Sequence, residues 1–254
     1  MRIRRVFVPP EGISREGVAF PPRALHYLTR VLRLERGEEV EVFDGGCTYR
    51  VKLVGCEGGG LRGKIIKAVA AERVRPCEVT LAFGCVRPGP FEEILRHGTE
   101  LGVYRFVPIL TLRTARRPDA RKSRWESVVE SAAAQSGRED LPMVEAPTPL
   151  GDFLGSEPAG LRLVLSTRPK TAPLLEELER SPSPLLVLLV GPEGGFEPAE
   201  EDLARSTGFL PVNLGTAPLR TETAAVVAVG AAAAWFNLVH QGSEIARNDP
   251  GQSD

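Results

Sequence analysis

The sequence predicts an α/β protein in which a helix-covered parallel sheet follows a small β-barrel-like module. Three observations carry this. From Cys77 onward, continuous apolar runs such as Leu185–Val190 alternate with helical patterns, as expected for strands buried on both faces. Before Cys77, short alternating segments and tight-turn glycines surround a single helical pattern. Between the two, Arg73-Val74-Arg75-Pro76 interrupts both periodicities. The expected division is therefore 1–73, 74–242 and a disordered tail at 243–254.

In the first segment, Ile3–Val8 reads as a strand. Pro21-Pro22 opens a helix through Leu32, with Leu25, Leu28, Val31 and Leu32 at helical spacing. Glu39–Phe43 alternates into the Asp44-Gly45-Gly46 turn, and Thr48–Val54 returns from it. Gly58-Gly59-Gly60 marks a second turn before a strand at Leu61–Val69. The second segment offers strands at Val79–Phe83, Tyr104–Leu110, Leu161–Leu165, Leu185–Val190 and Phe209–Leu214. Its helices are Glu92–Leu101 (stopped by Gly102), Arg121–Gln135, Ala172–Arg180, Pro198–Ser206 and Glu222–Val239. The last is uncharged over Thr223–Val239, but it is short and Ala-rich for a membrane span. A buried helix in a soluble, cytoplasmic protein without membrane attachment is the expectation.

Hydrophobic residues at 42% and charged residues at 26% exclude a disordered or collagen-like chain. The net charge of −1 hides an asymmetry: residues 1–75 carry 15 basic and 9 acidic groups, the remainder 17 and 24. A basic front segment suits a polyanionic partner. Cys47, Cys56, Cys77 and Cys85 form no C-x-x-C pair, so reduced thiols and no metal site are expected.

Ligands of open parallel sheets bind at the carboxyl ends of strands. Three such ends carry unusual residues: Ser166-Thr167-Arg168-Pro169, Gly191-Pro192-Glu193-Gly194-Gly195-Phe196, and Leu214 through Thr223. Glycine allows close backbone approach to a ligand. The carboxylates Glu200, Glu201 and Asp202, beside Pro198, oppose a bound phosphate and suit an uncharged or cationic ligand. The same loop also reads as a plain strand-to-helix turn. Likewise Arg220 and Glu222 read either as an ion pair at a helix start or as functional groups facing a substrate.

GPEGGF after an apolar strand, then NLG…LRTETA about twenty residues later, resembles the SPOUT superfamily of methyltransferases and within it the RsmE family. Arg5-x-Phe7, the His26…Arg30-Val31-Leu32-Arg33 segment, Val42-Phe43-Asp44-Gly45, Thr99-Glu100-Leu101-Gly102 and Gln135-Ser136-Gly137-Arg138 extend the resemblance over roughly residues 1–240. The resemblance implies a PUA-like RNA-binding barrel, then a sheet domain tied in a C-terminal trefoil knot. It implies S-adenosyl-L-methionine as cofactor, a homodimer, and methylation of N3 of a uridine in 16S ribosomal RNA of the small ribosomal subunit. The three loops then supply Ser166, Thr167, Gly191, Glu193, Gly194, Gly195, Leu214, Gly215, Leu219, Arg220, Thr221 and Thr223 to the cofactor. Arg220 and Glu222 are the catalytic candidates, Arg220 facing the methyl acceptor and Glu222 organising the loop.

Arg5, Arg30, Arg33, Arg116, Arg117 and Arg138 are the candidate RNA contacts, Arg30 and Arg33 on one helix face. Arg113, Arg116, Arg117, Arg121, Lys122 and Arg124 form a basic run, a second RNA contact or a solvated loop. The sequence departs from the family pattern at Pro90, Arg96, His97, Ala134 and Thr216-Ala217-Pro218. A non-catalytic ribosome-assembly protein and a transfer-RNA methyltransferase of the same superfamily are the alternative readings.

Overall fold

The computed structural model describes residues 4–55, 61–70, 77–114, 122–156 and 160–248. The chain divides into two units, Met1–Arg73 with Ser127–Leu141, and Val74–Glu126 with Pro142–Asp254.

In the first unit, alternation of apolar and polar residues builds a six-stranded sheet. Its strands are β1 (Arg5–Phe7), β2 (Ile13–Ser14), β3 (Gly17–Ala19), β4 (Glu39–Phe43), β5 (Cys47–Gly55) and β6 (Leu61–Ala70). The order is β1-β4-β5-β6-β3-β2, parallel only between β1 and β4. Val18, Val40, Val42, Val51 and Leu53 point inward onto Ala24, Leu28 and Leu34. The β4–β5 turn is held by Asp44, whose Oδ1 accepts the Gly46 and Cys47 N–H groups at 2.8 and 2.7 Å. Tyr49 donates its hydroxyl to Asp44 Oδ2 at 2.9 Å. Burial, then the Asp44 carboxylate, pushes the Tyr49 phenol above its usual range. Strands β2 and β3 are too short to leave a periodic trace. Gly17 makes their turn possible with φ 132°, and a Cβ there would sit 2.3 Å from the Gly63 carbonyl oxygen.

Helix α1 (Pro22–His26) starts on Pro22 as expected, then widens into a π-type turn over Tyr27–Val31. The Leu32 N–H reaches Tyr27 O and the Leu34 N–H reaches Leu28 O, both at 2.9 Å. Arg33 lies between these bonds in the left-handed region at φ 52°. Thus Arg33 is not on the helix and does not share a helix face with Arg30, because the chain reverses to bury Leu34. Ser127–Leu141, expected in the second domain, belongs to the first unit. Arg23 pairs with Glu130 at 3.4 Å, and Thr48 donates to Glu139 at 3.3 Å.

The second unit contains β7 (Glu78–Gly84), α2 (Pro88–Glu100), β8 (Arg105–Leu110), α3 (Lys122–Ser136, shared with the first unit), β9 (Met143–Val144), β10 (Thr148–Pro149) and α4 (Leu150–Ser156). It continues through β11 (Leu161–Leu165), β12 (Ala172–Pro173), α5 (Leu174–Arg180), β13 (Leu185–Val190), α6 (Pro198–Ser206), β14 (Leu210–Asn213) and α7 (Thr221–Asn248). The sheet order is β10-β8-β7-β13-β11-β14-β12 with β9 also on β8, and all pairs are parallel. Val107, Ile109, Val164, Val187 and Leu189 form its buried layer with Phe153 and Phe209.

Three expectations change here. Ala172–Pro173 extends as an edge strand before α5, since proline adds no ladder donor and suits an edge. Residues 243–248, expected in a disordered tail, continue α7 to Asn248; no proline interrupts the chain before Pro250. The last helix is also not a buried one. Thr221–Val239 is long and apolar enough to cross a membrane, yet only 28% of its most apolar window is buried. Ala225, Ala228, Val229, Ala232 and Phe236 face the core, while Val227, Leu238 and Val239 are exposed.

Candidate active site

Parallel pairing brings the carboxyl ends of the strands to one edge of the sheet. There β7 runs into Cys85–Arg87, β8 into Thr111–Thr114, β11 into Ser166–Arg168, β13 into Gly191–Phe196 and β14 into Leu214–Arg220. Because β13 lies between β7 and β11, the Gly191–Phe196 loop is central to this edge.

Steric limits shape that loop. A Cβ on Gly84 would stand 2.4 Å from Pro192 N, and one on Gly191 3.2 Å from Gly195 Cα. The Gly195 N–H closes the turn on Pro192 O at 2.8 Å, with Gly195 at φ 70°. No atom lies within 4 Å of where a Gly195 or Gly215 Cβ would stand, so both loops present open backbone. Gly215, at φ 131°, donates its N–H to Asn213 Oδ1 at 3.1 Å.

The carboxylates after this loop are bonded within the protein. Glu200 accepts the Leu112 N–H at 2.7 Å through Oε1 and the Glu197 N–H at 2.9 Å through Oε2. Glu201 accepts the Ser166 hydroxyl at 2.7 Å and lies 3.2 Å from Arg168 Nε. Arg168 also donates to Asp202 at 2.7 Å and to Pro198 O at 2.9 Å. Arg113 donates Nε to Glu197 at 2.7 Å and Nη1 to Gly194 O at 2.5 Å. Hydrogen bonding to these acids raises the pKa of Arg113, through Glu197, and of Arg168, through Asp202. Glu200, Glu201 and Asp202, expected only to oppose a bound phosphate, thus also tie the Leu112, Ser166 and Arg168 loop segments to the start of α6. Glu193 pairs with Arg87 at 3.0 Å.

Arg220 stands exposed just before α7 with no acidic partner among the described residues, so the proposed Arg220–Glu222 ion pair does not form. Its carbonyl accepts the Ala224 N–H at 2.8 Å, fixing the helix start. Thr221 is buried, whereas Leu219 and Thr223 are exposed. Thr167 is exposed beside buried Ser166, and Leu214 is half-buried. Burial pushes the Cys85 thiol, on the β7 loop, up to about 12 and removes it as a nucleophile. Among the described residues, no group of three potential metal ligands occurs.

Two RNA candidates serve the fold instead. Arg5 lies over the Phe43 ring at 4.9 Å, 3.3 Å from Glu41, and donates to Arg138 O at 3.3 Å. Arg138 is itself held by Asp140 at 2.9 Å. Both side chains are only 10% exposed. Arg30 and Arg33 are exposed. Arg116 and Arg117 lie outside the described residues, as do Gly58-Gly59-Gly60. Of the basic run, Arg113 is engaged as above and Arg124 forms a two-pronged pair with Glu92. Sequence reasoning missed Arg87 and Arg113 as loop braces; their partners lie 106 and 81 residues away or more.

The parallel sheet with its glycine-bearing strand-end loops is that of an RNA methyltransferase: the model of an RNA methyltransferase domain matches residues 73–233. The chain is 40% identical over 230 residues to ribosomal RNA small subunit methyltransferase E of Synechocystis sp., covering 89% of this chain and 75% of that protein. It is 32% identical to the Mycobacterium tuberculosis protein of the same name, covering 79% and 80%. This chain belongs to the ribosomal RNA small subunit methyltransferase E family. The Neisseria gonorrhoeae member, solved bound to S-adenosyl methionine, superposes with TM-score 0.82 at 30% identity, covering 93% and 98%. A Legionella pneumophila structure described as a methyltransferase with bound SAM gives 0.84 at 28% identity, covering 92% and 98%.

Proposed function

We propose that this protein transfers a methyl group from S-adenosylmethionine to N3 of a uridine in small-subunit ribosomal RNA. The observation that carries the reading is the sheet edge where the strands end in loops holding open Gly195, open Gly215 and exposed Arg220. The site fits this cofactor: open Gly195 and Gly215 admit a ligand close to the backbone, and their N–H groups, already bonded to Pro192 O and Asn213 Oδ1, form no phosphate cradle. Ser166, Thr167, Gly191, Glu193, Gly194, Gly195, Leu214, Gly215, Leu219, Arg220, Thr221 and Thr223 surround that edge as the holding residues, Ser166 and Glu193 chiefly through their backbones. Bound there, the cofactor supplies an electrophilic methyl group.

The chain's own residues must prepare the acceptor. A neutral uracil N3 has no available lone pair, so its proton must leave and the charge spreads onto the carbonyl oxygens. In this reading Arg220 donates to such an oxygen, a contribution comparable to one oxyanion-hole donor at about 2.7–4 kcal/mol. Glu222, in the first turn of α7, is assigned to organising the loop. Arg220→Ala should lower single-turnover methylation roughly a hundredfold while leaving cofactor affinity nearly unchanged. A near-normal rate would leave Arg220 a structural role only. Gly195→Arg tests the cofactor site separately: calorimetry should show lost binding, and normal affinity would remove this loop from the site.

The same reading takes the first unit as a PUA-like barrel and the second as a knotted domain. Family membership supports both, as does the strand order, in which β13 is inserted between β7 and the earlier β11. It also takes the active form as a homodimer in the cytoplasm, supported by the exposed apolar residues Val227, Leu238 and Val239 on α7.

A further inference from the structure

Strands β5 and β6 place like charges directly opposite one another. Arg50 pairs in register with Lys67, and Lys52 with Lys64, while Arg62 stands one step further along β6. All five side chains are exposed, on the face opposite inward Val51, Leu53 and Gly63. The neighbouring strand β4 offers Glu41 opposite Arg50 and Glu39 opposite Lys52. Each cross-strand row therefore sets one carboxylate against two cations, and Glu41 is already held by Arg5 at 3.3 Å. None of the five cations has a carboxylate within 4 Å among the described residues. Like charges facing across a ladder destabilise a sheet. Glu39 and Glu41 still leave each row with a surplus of one positive charge.

The register also shifts between Arg50 and Val51, so that Ile66 is an extra residue on β6. Ile66 is 50% exposed beside the cations. Such bulges re-aim side chains and recur at functional surfaces. Same-face residues along a strand are about 6.8 Å apart and strands about 4.8 Å, so the cations form a flat strip about 14 Å long and two side chains wide.

We infer that this strip is a phosphate-backbone contact for the RNA substrate; this rests on the function proposed above. A repeating polyanion meets all rows at once and relieves the repulsion that the free protein carries. The strip holds one exposed apolar residue, which suits a ribose or base edge.

The test measures binding of a small-subunit ribosomal RNA transcript across a salt series, comparing wild type with a Lys52→Gln/Lys64→Gln/Lys67→Gln variant. Each lost phosphate contact should reduce the slope of log K against log salt by about 0.7–0.9, so the variant should lose about 2–3 in slope. Its melting temperature should be equal or higher, because the like-charge rows are relieved, and its S-adenosylmethionine affinity should be unchanged. Lys64→Gln alone should give about a third of the slope change. An unchanged slope in the triple variant, with wild type binding RNA, would overturn the strip and leave the methyltransferase reading standing. Wild type that does not bind the transcript would overturn the RNA reading and the strip with it.

Discussion

Arg113 and Arg220 are the same residue type in opposite situations. Arg113 is held by Glu197 and by the Gly194 carbonyl, so its charge is satisfied and its geometry fixes the central loop. Arg220 has no such partner among the described residues and stands exposed. Arg113→Ala should therefore weaken cofactor binding several-fold by releasing the Gly194 carbonyl, with little effect on turnover at saturating cofactor. Arg113→Lys should recover only part of the loss, since an ammonium cannot reproduce the fork. Calorimetry with saturated turnover separates the two; unchanged affinity in Arg113→Ala would show that the loop holds its shape unaided. The loop glycines were legible in the sequence because positive φ at Gly195 and Gly215 and close packing at Gly191 admit little else. The bracing was not, because Leu112 meets Glu200 across 88 residues of chain, and no local pattern records such a meeting.

At the scale of elements, the strands of the parallel sheet were legible because continuous apolar runs have few other uses in a soluble chain. The short strands β2, β9, β10 and β12 span two residues each, less than one period of any pattern. The helix ends at Leu32 as expected, but Arg33 was misread as sharing its face, because it occupies the left-handed position that glycine usually takes. Relieving that conformation should stabilise the fold, and Arg33→Gly should gain about 1 kcal/mol, a rise of about 2–4 °C in melting temperature. RNA affinity should fall at the same time if the strained arginine is kept for its charge. A lower melting temperature would contradict the strain. Between α2 and α3, hydrogen bonding to Arg124 holds the Glu92 carboxyl below its usual range. A lowered folded-state pKa stabilises above the ordinary carboxylate range and is lost as pH falls through the lowered value. Glu92→Gln should accordingly lower the melting temperature at neutral pH, and the difference from wild type should close in acid. A difference independent of pH would point to packing instead.

For the molecule as a whole, the sequence already showed a basic front segment, and the structure redistributes which cations remain free. Arg5 and Arg138 are taken up by the fold, while Arg50, Lys52, Arg62, Lys64 and Lys67, lost among ordinary strand residues in the sequence, stand exposed. Helix α7 exposes Leu238 at 71% and Val227 at 43%, more apolar surface than one helix usually leaves to water. A Val227→Glu/Leu238→Glu variant should therefore shift the mass in solution from dimer to monomer, measured by light scattering over a concentration series. A wild type that is monomeric at every concentration would remove the dimer. The most direct test of the central claim is methyl transfer itself: incubate the purified protein with labelled S-adenosylmethionine and small-subunit ribosomal RNA, then map the modified nucleotide by mass spectrometry. The account predicts a single methyl group on N3 of one uridine. No transfer, or label on another base or atom, would contradict it.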